Sequence, residues 1–223
     1  MKMPLTSTIT DSTLRLNGSM SVAANLTLSD AELTLWDSNT TKPKALGVSV
    51  KGNLTLQSVK AGKTALNATG KVSAATLTMD DATLTISNAK PQSLALTGKT
   101  DAMKMPLTST ITDSTLLLNG SMSVAANLVL KNSTLRLQDA NTAKPKALGL
   151  SVKGNLTIDE GTQLFLTGAL SAKNMMLNSG SLTLAATKLT TTKVSGILGI
   201  FGKTHLDLAF NVTQKDINKG KAY

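Results

Sequence analysis

The chain contains no cysteine, which removes disulfides, zinc–thiolate sites and thiol catalysis together. Aromatic residues make up only 2% of it: one Trp, one Tyr and three Phe. Within a hydrophobic content of 41%, the interior must therefore be filled with Leu, Ala, Val, Ile and Met. That suits a narrow core of stacked small side chains better than a wide globular one. No apolar run approaches the roughly 20 residues of a membrane-spanning helix, and no export signal is read, since Met1 leads straight into polar, Thr-rich sequence. Negative charge is scarce beside positive, with 13 Asp+Glu against 23 Lys+Arg and a net charge of +10 over 223 residues. This balance favours anionic partners such as nucleic acid, lipopolysaccharide or acidic glycans. Scattered lysines also keep a β-rich protein soluble and protect its sheet edges.

Repetition dominates what is present. Shifting the chain by 102 residues lays residues 1–28 on residues 103–130 with only Arg15/Leu117 and Thr27/Val129 different, and KPKALGVSVKGNLTL at 42–56 returns as KPKALGLSVKGNLTI at 144–158. The expectation is a recent duplication within a piece of a longer repetitive protein. A shorter unit lies inside the long one: NGSMSVAANLTLSDAELTL at 17, TGKVSAATLTMDDATLTI at 69, NGSMSVAANLVLKNSTLRL at 119 and TGALSAKNMMLNSGSLTL at 167. Each unit reads as Gly, a short strand, Ala, a second strand, a polar turn and a third strand. The apolar residues alternate, as in Leu26, Leu28, Leu33 and Leu35, or Leu77, Met79, Leu84 and Ile86, and a period of two means strands with one face inward.

Strands of three to five residues with one apolar face bury themselves only by stacking. The expected fold is all-β: a parallel β-helix of three short strands per coil, with eight or nine coils about 4.8 Å apart forming a rod on the order of 40 Å long. The duplicated solenoid spans 1–195 (1–102 and 103–195), and 196–223 is a final coil or cap with a polar basic tail. The unit-start glycines, Gly18, Gly52, Gly70, Gly98, Gly120, Gly154 and Gly168, are expected at tight corners where a positive φ costs nothing. The alternative is two tandem antiparallel β-sandwich domains of about 100 residues, against which the missing Cys and Trp anchors and the coil-scale repeat both count.

The repeated Gly-x-Leu-x-Leu and Asn-x-Thr-Leu-x-Leu segments, GNLTL at 52–56, STLRLNGSMSV at 12–22 and DDATLTISNA at 80–89, resemble the passenger domains of bacterial autotransporters and related secreted β-helical adhesins. The resemblance covers almost the whole chain. It implies a right-handed parallel β-helix, exported to the bacterial surface or secreted and serving as an adhesin, aggregation factor or scaffold. It also implies a signal peptide and a membrane barrel encoded outside this sequence.

Catalytic chemistry finds little support. His205 is the sole histidine, in THLDL beside Asp207, without clustered carboxylates to build a metal site. Ser87 and Lys90 form S-x-x-K, but at the exit of a strand into a Pro-containing loop rather than on a helix. Asp80 and Asp81 align with Ser29–Asp30, Lys131–Asn132 and Asn178–Ser179, which makes them turn residues. Gly196, Gly199 and Gly202 lack the dinucleotide spacing. The chain is therefore read as no enzyme, with no cofactor and no metal.

Two surface features remain. Lys42-Pro43-Lys44 recurs as Lys144-Pro145-Lys146, with Lys51 and Lys153 following in each copy; on a solenoid both copies project from the same corner and form a candidate stripe for an anionic polymer. Trp36, out of phase with Leu33 and Leu35 and replaced by Gln138 in the other copy, is an expected exposed contact. The scarcity of other aromatics argues against nucleic acid. The sequence thus points to a structural or adhesive rod. Polyanion or glycan binding through the lysine loops, and lateral or end-to-end self-association into filaments, are the alternatives.

Overall fold

The computed structural model describes residues 1–3, 5–39, 41–141, 146–184, 192–194, 198–202 and 205–208. These residues are all-β, and their strands trace nine coils of a parallel solenoid. Coil 1 comprises Lys2–Met3, Ser7–Thr10 and Thr13–Leu16; coil 2, Met20–Val22, Leu26–Ser29 and Glu32–Leu35; coil 3, Val48–Val50, Leu54–Gln57 and Thr64–Ala68; coil 4, Val72–Ala74, Leu77–Asp80 and Ala82–Ile86. Coils 5 and 6 are Gln92–Leu96, Thr108–Thr112, Thr115–Leu118, and Gly120–Val124, Asn127–Lys131, Thr134–Leu137. Coil 7 is Leu150–Ile158 with Gln163–Leu166, coil 8 is Leu170–Asn178 with Ser181–Leu184, and coil 9 is Thr192–Val194, Leu198–Phe201 and His205–Leu208.

The first, second and third strands of the coils stack into three faces. Each strand pairs in parallel with its equivalent in the neighbouring coils. Among the described residues the single antiparallel contact is an isolated bridge between Thr100 and Pro106. This parallel ladder replaces the two-sandwich alternative, which needs antiparallel neighbours. Two strands are longer than expected: in coils 7 and 8 the first and second strands fuse into nine residues, absorbing Lys153–Gly154 and Lys173 as an irregularity in the register instead of a turn.

The alternation is explained by the columns it builds. Leu28, Leu56, Met79, Ile111, Leu130, Ile158 and Leu177 line up along the second face, and Leu33, Leu66, Leu84, Leu116, Leu135, Leu164 and Leu182 along the third; all are 4% exposed or less. Apolar area is removed from water in every coil only because another coil covers it, so the core is one continuous thread.

The corner glycines act differently from the expectation. Among the unit-start glycines only Gly18 has a positive φ. At most of the others the neighbouring coil's backbone passes too close for a Cβ: a Cβ on Gly70 would lie 2.7 Å from the Ala45 carbonyl carbon, one on Gly98 2.8 Å from the Ala75 oxygen, and one on Gly168 2.6 Å from Ala147, whereas at Gly52 the nearest atom is the Asn25 side-chain oxygen. The left-handed residue sits instead at the corner between the second and third strands, once in every coil: Asp11, Asp30, Gly62, Asp81, Asp113, Asn132, Gly161, Ser179 and Gly202, with φ between 45° and 74°. Asp and Asn tolerate this region through local hydrogen bonding. The Asp80–Asp81 pair is therefore a turn, as its alignment implied.

Candidate recognition surface

The two lysine loops leave the solenoid at the same corner, between the third strand of one coil and the first strand of the next. Residues 36–47 join coil 2 to coil 3, and residues 138–149 join coil 6 to coil 7. Each loop is clamped at its base by an aspartate. The Asp37 carboxylate accepts hydrogen bonds from the Asn39 N–H at 3.0 Å and the Lys44 N–H at 2.6 Å; Asp139, 3% exposed, accepts from Asn141 N–H at 3.0 Å and Lys146 N–H at 2.8 Å. The far end of each loop is tied down by a leucine, Leu46 or Leu148, buried against the core. The Leu46 N–H also donates to the Thr69 hydroxyl at 3.0 Å. Lys42, Lys44 and Lys146 are exposed at this corner; Lys144 lies outside the described residues.

These clamps carry a pH dependence. The Asn39 N–H, followed by the Lys44 N–H and charge, holds the Asp37 carboxyl below its ordinary value, and Asn141 and Lys146 do the same at Asp139. A lowered folded-state pKa stabilises the loop above the ordinary carboxylate range, and the contribution disappears as pH falls through the lowered value. Amide-exchange protection of Lys44 and Lys146, corrected for intrinsic rate, is expected to be level near neutral pH and to drop at acid pH. In Asp37→Ala the Lys44 protection should be lost at every pH while that of Lys146 persists.

Lys51 and Lys153 do not join this corner. The strand Val48–Val50 and the opening residues of the strand Leu150–Ile158 carry the chain across the whole first face, so both lysines stand at its opposite border. Between the borders, the outward positions of the first face form three columns. One runs Ser19, Gly47, Lys71, Ser93, Ser121, Gly149 and Ala169; the middle runs Lys2, Ser21, Ser49, Ser73, Ala95, Ser123, Ser151 and Ser171; the third runs Ala23, Lys51, Ala75, Thr97, Ala125, Lys153 and Lys173. Every member is Gly, Ala, Ser, Thr or Lys. The acidic residues are elsewhere: Asp11, Asp30, Asp80, Asp81, Asp113, Asp159 and Glu160 gather where the second strand turns into the third. The ion pair between Lys60 Nζ and Asp11, at 3.2 Å, lies at that acidic corner. Winding thus keeps carboxylates off the outward columns of the first face, although Asp37 and Asp139 sit in the lysine loops and Lys60, Lys63 and Lys131 share the acid-rich corner.

Trp36 is 42% exposed, pointing outward as its phase required. The Arg15 guanidinium lies 5.8 Å from its ring centroid, and Arg136 lies 4.7 Å from that of Phe165, both within cation–π range. Sequence reasoning missed these pairs because their partners come from adjacent coils: Arg136 and Phe165 are register neighbours, and Trp36 is two positions beyond Thr34, the register partner of Arg15. Two asparagine side chains at equivalent positions tie adjacent coils together, since Asn25 Oδ1 accepts the Asn53 N–H at 2.8 Å and Asn127 Oδ1 accepts the Asn155 N–H at 2.9 Å.

Ser87 and Lys90 are both exposed, just beyond the end of the Ala82–Ile86 strand. His205 starts the last third-face strand opposite Ser181; its side chain lies outside what is described. Among the described residues no group of three or more His, Cys, Asp or Glu is placed to hold a metal ion, and no helix is long and apolar enough to cross a membrane. The chain matches no protein-family model, no curated protein and no solved structure.

Proposed function

We propose that this chain is a non-enzymatic rod segment of a secreted or bacterial cell-surface protein, whose solenoid displays loops clamped at their bases for adhesion. The observation that carries the reading is the paired display: two loops related by the duplication leave one corner four coils apart, about 19 Å along the axis, each closed by an internal aspartate clamp. A loop fixed at both ends loses less conformational entropy on contact than a free one, which favours binding. The likeness of the GNLTL-type repeats to autotransporter passengers points the same way.

Beads coated with the chain at controlled density test this reading on mucin-coated and epithelial-cell surfaces in shear flow. Retention above that of uncoated beads is expected. Replacing residues 38–45 and 140–147 by short Gly-Ser links should reduce retention severalfold while circular dichroism and thermal unfolding stay those of the parent. Equal retention with and without the loops would overturn the reading.

A further inference from the structure

We infer that the first face of the solenoid is a binding surface for an acidic polysaccharide laid along the rod axis. The inference rests on the rod reading for its geometry but assigns recognition to a face instead of to the loops.

Composition is the first ground. Across its three outward columns this face presents nothing bulkier than Thr apart from lysines, and it presents no carboxylate; Met1 is exposed at its first end. Lys51, Lys71, Lys153 and Lys173 are exposed on it, and among the described residues none of them pairs with an acid. The two copies of the duplication place these charges differently. Lys51 and Lys153 are equivalent, whereas coil 4 carries Lys71 and Ala75 where coil 8 carries Ala169 and Lys173. The lysine has changed ends of the strand and the face has kept its charge.

Shape is the second. Three outward columns make a strip about 13 Å wide, and coils 3 to 8 extend the lysines over about 24 Å. At coils 1 to 4 the strip dips into a shallow trough lined by Lys2, Ser21, Gly47, Ser49, Lys71 and Ser73, with Met1 at its end. Gly47 lets the next coil's backbone approach closely here, because a Cβ there would meet the Lys71 carbonyl oxygen. Serine hydroxyls run along the middle column, Ser73 donating to Ser49 at 3.3 Å and Ser171 to Ser151 at 3.1 Å. A narrow lane of hydroxyls with ammonium groups on its borders suits a linear polymer that has both hydroxyls and spaced anionic groups.

Charge spacing selects among polyanions. These four lysines average roughly one per 8 Å of axis, whereas duplex DNA carries a negative charge about every 1.7 Å. The face also has no aromatic side chain on which bases could stack. An anionic bilayer would meet a plane, while here the charge is confined to one strip.

The test measures binding of dextran sulfate and polygalacturonate to the whole chain, beside duplex DNA and phosphatidylserine vesicles, over a salt series. Binding to at least one polysaccharide, tighter than to DNA or vesicles, is expected. K51S/K71S/K153S/K173S should weaken it at least tenfold and flatten the salt dependence, whereas the loop variant K42S/K44S/K146S should change it less than threefold. All substitutions are at exposed positions, and unchanged thermal unfolding confirms the fold. Ser49→Trp with Ser151→Trp, which leaves charge untouched, should also block binding by raising bulk on the lane. The inference is overturned if neither polysaccharide binds, if DNA or vesicles bind more tightly, or if loss follows the loop variant instead. Failure here with bead retention intact leaves the rod reading standing; loss of retention with polysaccharide binding intact does the reverse.

Discussion

Leu84→Ala is expected to destabilise the solenoid by about 3 kcal/mol, the magnitude for emptying a fully buried leucine site that its surroundings cannot refill. Leu84 is 0% exposed and paired in register with Leu66 on one side and Leu116 on the other. Collapse into the cavity would require adjacent coils to close up, and the main-chain hydrogen bonds fix their spacing at about 4.8 Å. Urea unfolding measures the loss as a shift in midpoint. Leu117→Ala is the control: it is one residue further along the equivalent strand of the next coil, 38% exposed and pointing outward, and should change stability by less than about 0.5 kcal/mol. A Leu84→Ala cost under about 1 kcal/mol would mean that the leucine column does not carry the core.

Gly70→Val is expected to cost about 3 kcal/mol or more, for a different reason. A Cβ at Gly70 would lie 2.7 Å from the Ala45 carbonyl carbon and 2.8 Å from the Leu46 nitrogen. The obstacle is backbone, and overpacking against backbone is relieved only by moving it. The same backbone ends the first lysine loop, and the Gly70 N–H donates to Leu46 O at 2.8 Å, so Leu46 should become exposed together with the loss of stability. Gly62 provides the contrast. Its φ is +66° with open space around the Cβ position, so Gly62→Asn should be almost neutral, since Asn adopts the left-handed region readily. Equal costs for Gly70→Val and Gly62→Asn would refute the distinction between close approach and turn conformation. Thermal unfolding with amide exchange at Leu46 separates the two.

The coil was legible because its determinant is local. Leu26 and Leu28 followed by Leu33 and Leu35 specify two inward-facing strands and a turn, and recurrence of that pattern specifies stacking. The role of the glycines was not legible. A recurrent Gly signals that a Cβ is forbidden but not whether the backbone angle or a neighbouring chain forbids it, and here Asp30, Asp81, Asp113 and Asn132 take the left-handed turn instead. Sequence identity was no guide to conformation in one segment. Lys2–Met3 is a strand on the first face, whereas the same residues in the second copy, Lys104–Met105, lie in a loop because Gln92–Leu96 already occupies that face in coil 5. In the loop, the Asp101 carboxylate accepts the Met103 and Met105 N–H groups at 2.9 Å each. The candidate surface was half legible. The loops and Trp36 were found, but Lys51 and Lys153 appeared to belong with the loops because sequence distance does not show that a three-residue strand spans a face.

The seam between coils 4 and 5 has a wider meaning. There Met79, Leu84 and Ile86 meet Ile111, Leu116 and Leu118, and coil 1 carries the equivalent trio Ile9, Leu14 and Leu16. The joint that closes one four-coil block on the next is therefore reusable. Adding or removing whole blocks at this joint changes the length of the solenoid in increments of about 19 Å without inventing a new interior each time.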